Sequence, residues 1–130
     1  MIGLDTNVIV RYTVRDDPKQ TALADAAIDA LSSDDPGYVS HVVVAETWWV
    51  LRSAYRFPED RRRQLFEILL DTKELRFEDP DTVRAALTST RQGADLADAL
   101  IAQSAVQAGC RSVVTFDKGA ARRAGMTLLT

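Results

Sequence analysis

The sequence contains a single cysteine, Cys110, and a single histidine, His41, among its 130 residues. It therefore lacks the partners for an internal disulfide and for a Cys/His zinc cluster. We expect a fold stabilised by its hydrophobic core, a reducing compartment, and Cys110 buried as a small residue. No apolar run approaches the roughly 18 residues needed to span a membrane, and the first residues lack a signal-peptide pattern. These absences predict a cytoplasmic protein.

An excess of basic residues is also missing, although such an excess marks many nucleic-acid-binding proteins. Lysine and arginine number 16 against 19 acidic residues, which gives a formal net charge of −3. The balance does not exclude RNA binding, because local arginines can still contact phosphates. Arg61, Arg62 and Arg63 either bind phosphates or form a solvated helix face. A hydrophobic fraction of 46% is typical of a globular protein, and the length predicts one domain over residues 1–130.

Apolar strand-like runs alternate along the chain with helix-like stretches. The predicted strands cover residues 2–5, 38–39, 75–77, 111–116 and 126–129. The predicted helices cover residues 18–31, 58–72, 79–91, 95–108 and 118–124. Residues 41–55 are ambiguous, because their valines favour a strand while their length and spacing favour a helix capped by Ser40. The alternation predicts an α/β fold with a parallel sheet covered by helices on both faces.

Two aspartates stand at the predicted ends of apolar strands. Asp5 lies at the end of the first strand, beyond which the rest of the run 2–10 is compatible with a helix, and Asp117 follows the run RSVVTF. In parallel α/β sheets, ligands bind outside the carboxyl ends of the strands. Each aspartate is therefore either a helix cap or part of a site at that edge.

Three further acidic residues stand where simple surface roles explain them less well. Glu46 interrupts the apolar run VVVAETWWV, where a carboxylate needs a partner. Asp95 and Asp98 are three residues apart on a predicted helix and so share one face. Gathered together, carboxylates are the ligands that Mg²⁺ and Mn²⁺ prefer. Walker-type GxxxxGK[ST] and GxGxxG loops for nucleotides are absent.

Four segments then carry a specific resemblance that covers nearly the whole chain. MIGLDTNVIVRY, VVVAETWWVLRSAYRF, GADLADALIAQSA and VVTFDKGAAR resemble the blocks of PIN-domain nucleases, most closely the VapC toxins of toxin–antitoxin pairs. The resemblance implies a three-layer α/β/α fold with a central parallel sheet and endoribonuclease activity. It implies the catalytic residues Asp5, Glu46, Asp98 and Asp117. It implies Mg²⁺ or Mn²⁺ held by Asp5, Asp98 and Asp117, with Asp95 as an accessory acid. The accessory candidates Thr6, Asn7 and Thr115 stand beside these acids, where they either hydrogen-bond them or are ordinary polar residues of turns and strand ends.

The resemblance also implies a mechanism and partners. Metal-assisted hydrolysis would cut the RNA backbone, with Glu46 binding a second metal or orienting the attacking water. RNA is the expected substrate, a cognate antitoxin the expected inhibitor, and a homodimer the expected assembly. Trp48 and Trp49 face different sides of one helix, so one is expected in the core and the other at an interface. His41 is not expected to act in catalysis.

Three alternatives stay open beside the toxin. A PIN-type enzyme of RNA processing would have no antitoxin. A non-catalytic interaction module would use the acidic residues only as helix caps. A phosphatase of the haloacid dehalogenase type would use Asp5 as nucleophile, but that family needs a second aspartate where this chain has Asn7.

Overall fold

The computed structural model describes residues 1–130, which form seven helices and five short strands. The strands are β1 (Ile2–Gly3), β2 (Gly37–Val39), β3 (Leu75–Phe77), β4 (Val114–Thr115) and β5 (Thr127–Leu128). The helices are α1 (Thr6–Val14), α2 (Pro18–Asp29), α3 (His41–Ser53), α4 (Glu59–Leu70), α5 (Pro80–Thr90), α6 (Leu96–Gln107) and α7 (Lys118–Arg123). None of these helices has the length and hydropathy required to cross a lipid bilayer. The chain forms two compact units, residues 1–78 and 79–130.

A three-stranded parallel sheet organises the first unit, with strand order β1-β2-β3. Gly37 lies at the start of the central strand, opposite both Ile2 and Leu75. A Cβ atom at Gly37 would lie 2.8 Å from Cδ1 of Leu4 and 2.8 Å from Cδ1 of Leu31. Glycine therefore allows these two leucines to close over the start of β2.

The helices of the first unit begin at residues with clear capping signals. The Asp17 side chain accepts a hydrogen bond from the backbone N–H of Gln20, and Pro18 opens α2. Ser40 caps α3 by accepting from the N–H of Val43 at 3.2 Å. Helices α1, α3 and α4 then bury a common set of apolar side chains that includes Ile9, Val44, Leu51, Trp48 and Phe66. The segment 41–55 is thus helical, and the burial of Trp48 leaves Trp49 exposed as expected.

The second unit contains α5, α6, α7 and the parallel pair β4-β5. Val83 and Ala86 of α5 and Leu96 and Ala99 of α6 are at most 1% exposed. The small side chains of Ala86 and Ala99 let the two helices pack closely. Helix α7 connects β4 to β5 and buries Ala120.

The expected α/β class with parallel strands is confirmed, while three local predictions are wrong. The strand predicted over residues 111–116 is only Val114–Thr115, because β5 offers just two residues for pairing. Cys110 is exposed, since it follows the turn at Gly109 (φ 89°) that ends α6 at the surface. Arg62 and Arg63 are buried rather than solvated. The Arg62 guanidinium lies 4.3 Å from the Trp48 ring, and Arg63 pairs with Glu59 and Asp60.

Candidate active site

Asp5 lies just beyond β1, where the chain leaves the sheet and enters α1. The N–H of Leu4 donates to the Tyr38 carbonyl at 2.9 Å and completes the pairing of this strand end. Asp5 itself is the N-cap of α1, and its Oδ1 accepts from the N–H of Thr6 at 2.8 Å. The side chain is exposed. Asp5 thus occupies the carboxyl edge of the sheet and caps a helix at the same time.

Thr6 connects this helix start to Glu46 on α3. The Thr6 side chain is buried, and its hydroxyl donates a hydrogen bond to Oε1 of Glu46. Glu46 is exposed, although its neighbours Thr47 and Trp48 are buried. Val44, Thr47 and Trp48 therefore face the core, while the Glu46 carboxylate reaches the surface beside α1. The structure brings Asp5, Thr6 and Glu46 together in the first unit.

Two other candidates of the first unit lie apart from that contact. Asn7 is exposed on α1 and makes no hydrogen bond through its side-chain amide. His41 opens α3, and its Nδ1 lies 3.6 Å from the Glu78 carboxylate. The Glu78 side chain also accepts from the N–H of His41 at 2.9 Å. The Glu78 carboxylate therefore interacts with the first residue of α3.

Three aspartates occupy the helix starts of the second unit. Asp95 is the N-cap of α6 and Asp98 lies in its first turn. Asp117 is the N-cap of α7, with Oδ1 accepting from the N–H of Ala120 at 3.0 Å. The N–H of Asp117 donates to the Thr115 hydroxyl at 3.0 Å, which fixes the turn between β4 and α7. The Asp95 side chain makes no capping hydrogen bond, so its carboxylate oxygens are not used by the backbone of α6.

The charge distribution distinguishes Asp98 from the other acidic residues of the chain. Partial burial raises the pKa of Asp98 above its ordinary value of 3.8, and the negative charges of Asp95 and Asp117 raise it further. The three carboxylates therefore influence one another electrostatically. Repulsion of this kind costs stability in the protein alone and is relieved by a cation.

The donor chemistry of these residues suits a hard divalent cation. Their side chains offer only carboxylate and hydroxyl oxygens, which Mg²⁺ and Mn²⁺ prefer to nitrogen or sulfur. No three His, Cys, Asp or Glu side chains are gathered closely enough to form a ready-made metal cage. Mg²⁺ normally keeps several water ligands and needs only one or two carboxylates. That Asp5, Asp98 and Asp117 bind the metal stays a prediction. That the acidic residues of the first unit and those of the second form one site also stays a prediction.

A comparison with protein-family models decides the family. The model of the PIN domain matches residues 2–126, which is nearly the whole chain. The chain belongs to the PIN domain family. PIN domains are generally metal-dependent nucleases, so the nuclease class expected from the sequence is supported at the level of the family. A search of curated proteins finds no match.

Three-dimensional structure adds one group of residues that the sequence did not single out together. Arg11 of α1 hydrogen-bonds to Gln20 of α2, to Asp16 and to the Tyr55 hydroxyl beyond the end of α3. Tyr55 also donates to Asp16 at 2.9 Å, which closes the network.

Proposed function

We propose that this PIN domain is a Mg²⁺- or Mn²⁺-dependent endoribonuclease that acts as a VapC-type toxin in the cytoplasm and is neutralised by a cognate antitoxin. The observation that carries the nuclease assignment is the match of the PIN-domain model to residues 2–126. The placement of Asp95, Asp98 and Asp117 at the starts of α6 and α7 supports it. Partial burial and the charges of Asp95 and Asp117 raise the pKa of Asp98, and carboxyl groups with a perturbed pKa cluster at functional sites.

The residues divide into proposed ligands and positioning groups. Asp5, Asp98 and Asp117 would hold the cation, which supplies an activated water and stabilises charge on the phosphate. Glu46 would orient a water or take part in binding a second ion. Thr6 holds Glu46 through its hydroxyl, and Thr115 holds the backbone of Asp117. Asp95 adds negative charge beside Asp98.

Cleavage of purified RNA tests the enzymatic part of this proposal. Total cellular RNA is incubated with the protein in Mg²⁺, in Mn²⁺ and in chelator, beside Asp5→Asn and Asp98→Asn. We expect metal-dependent cutting that falls at least 100-fold in both variants. Asp34→Asn is the matched control, because Asp34 is an exposed loop aspartate. Equal cutting by wild type and both site variants would remove the catalytic role of these acids.

Expression in a bacterial host tests the toxin part. The wild-type chain should arrest growth and Asp98→Asn should not. If a small open reading frame adjoins the gene, its co-expression should restore growth. A complex of the two products, isolated with the chain as a homodimer, completes the expected result. Metal-dependent RNA cleavage without growth arrest or rescue would instead identify an RNA-processing nuclease.

A further inference from the structure

A groove between α1 and α2 opens beside the Asp5 end of the first unit. Its volume is about 360 Å³, within the roughly 300–1,000 Å³ of sites that hold small ligands. Its lining consists of Asn7, Val8, Arg11, Gln20, Leu23, Ala24 and Ala27. The apolar part is formed largely by small side chains of α2, and 64% of the Leu23 side chain is exposed at the rim. Such a floor accepts a flat, partly apolar group.

The polar part of the lining has hydrogen-bonding capacity that the protein does not use. Gln20 accepts from Nε of Arg11 through its oxygen, which leaves the Gln20 amide N–H donors without a partner. Arg11 uses Nε and Nη1 and leaves Nη2 without a partner. Asn7 contributes a free amide. The groove therefore offers more donors than acceptors.

The Arg11 side chain is held in place before any ligand arrives. Its Nη1 donates to the Tyr55 hydroxyl at 2.7 Å and to Asp16 at 3.2 Å. The hydrogen bond with Tyr55, together with nearby negative charge, raises the pKa of Arg11 above its ordinary value, so the guanidinium is charged. A donor fixed by neighbours loses little side-chain freedom on binding a ligand.

The position of the groove links it to the acidic site. Asn7 lies two residues after Asp5 on α1, and Arg11 follows one turn later, about 6 Å further along the helix axis. A nucleotide attached to a phosphate at Asp5 is of a size to reach this groove. Proteins that read single-stranded RNA hydrogen-bond the edges of unstacked bases in this manner.

We infer that the α1–α2 groove is a nucleobase subsite that reads one base of the RNA next to the cut, an inference that rests on the proposed ribonuclease function. The donor excess favours bases that carry a carbonyl oxygen. Guanine, uracil and cytosine, which all carry a carbonyl oxygen, are therefore expected to bind better than adenine, which has none.

Two variants test the groove without touching the acidic residues. Ala27→Phe fills it from α2, where Ala27 is exposed enough to accept the larger side chain. Gln20→Glu keeps the acceptor for Arg11 but replaces the amide donors with a carboxylate that repels carbonyl oxygens. Ala26→Phe is the matched control, because Ala26 is exposed on the same helix but does not line the groove.

The first measurement is an NMR titration of each protein with AMP, GMP, CMP, UMP and inorganic phosphate. GMP, UMP and CMP should bind at least fivefold more tightly than AMP, as judged from the shifts of the backbone resonances of Leu23, Ala24 and Ala27. Phosphate alone should not shift these resonances. Ala27→Phe and Gln20→Glu should weaken that binding at least tenfold, and Ala26→Phe should leave it unchanged. This assay measures binding and does not depend on RNA cleavage. It therefore distinguishes a failure of the groove to bind a base from a failure of the proposed ribonuclease function.

The second measurement maps the ends produced from an RNA library with randomised positions around the cut. Wild type and Ala26→Phe should share a base preference at one position, and Ala27→Phe should lose at least tenfold of it while still cutting. Unchanged preferences in an active Ala27→Phe enzyme, or nucleotides that leave the groove resonances unshifted, would overturn the inference.

Discussion

Replacing Asp98 by Asn should make the metal-free protein more stable at neutral pH. A like-charge pair three residues apart on a helix costs about 0.2–0.5 kcal/mol, and Asp98 has Asp95 at that spacing and Asp117 as a second neighbour. The helix dipole favours a negative charge in the first turn by about 0.3–1 kcal/mol. Because the pKa of Asp98 is nevertheless raised, burial and repulsion exceed that benefit. We expect a net gain of about 0.5 kcal/mol, which corresponds to a rise in Tm of roughly 2–3 °C for a domain of this size.

The sign of the pH dependence follows from the direction of this shift. A carboxyl group whose pKa is raised by folding binds its proton more tightly in the folded state than in the unfolded state. Wild type therefore loses stability relative to the variant as pH rises from 3.8 through the folded-state pKa of Asp98. Above that pKa the stability difference between wild type and variant no longer changes with pH. Below 3.8 the part of the difference that comes from the Asp98 charge disappears.

Urea unfolding in the presence of chelator, followed by tryptophan fluorescence from pH 3 to pH 7.5, measures this difference. Asp34→Asn is the control for removing one negative charge from the surface. A variant that is less stable than wild type at pH 7, or a difference that does not change with pH, would refute the reasoning. Adding Mg²⁺ should then make wild type more stable than Asp98→Asn. Ligand binding at 100 times the Kd stabilises the folded state by about 2.7 kcal/mol, and the variant should gain less.

Three further predictions concern the framework that carries the site. Ser40→Ala removes the cap of α3 and should cost about 1 kcal/mol in urea unfolding, whereas Ser33→Ala in an exposed loop should cost nothing measurable. Phe66→Ala opens the core beside Trp48 and should cost about 3–5 kcal/mol; a loss below 1 kcal/mol would contradict the packing. Thr6→Val removes the hydroxyl that holds Glu46 and should reduce RNA cleavage at least tenfold. Thr13→Val, which loses only hydrogen bonds to the Ile9 and Val10 carbonyls of its own helix, should retain cleavage.

The sequence predicted the helices well because their ends carry local signals. Asp17-Pro18 and Asp79-Pro80 begin helices in the structure where a cap followed by proline predicts them. The strands were less predictable, since the length of a strand depends on its partner: RSVVTF has strong β propensity, yet β5 pairs with only two of its residues. Which side chains are buried was harder still to predict from the sequence. The three consecutive arginines at 61–63 are typical of a solvated helix face. In the structure, however, Arg62 is buried against the Trp48 ring, and Arg63 is buried in ion pairs with two acidic residues of its own helix.

The candidate site was predictable as a set of residue types but not as an arrangement. Asp5 and Asp117 could be placed at strand ends from the apolar runs before them, and both lie there in the structure. The bond between Thr6 and Glu46 joins residues that are 40 positions apart, so no local pattern could indicate it. The α1–α2 groove likewise depends on how two helices pack, which side-chain periodicity does not determine.

Asp5 and Asp117 are N-caps of helices as well as proposed metal ligands, which has a consequence for how this chain can change over evolutionary time. Asparagine caps a helix as well as aspartate does, and a single nucleotide change in an aspartate codon produces it. One mutation can therefore silence the site while both helices still begin where they do now. A gene that escapes selection for cleavage would pass first to a folded, inert descendant rather than to an unfolded one. Such a descendant would keep the surfaces through which the active protein is recognised.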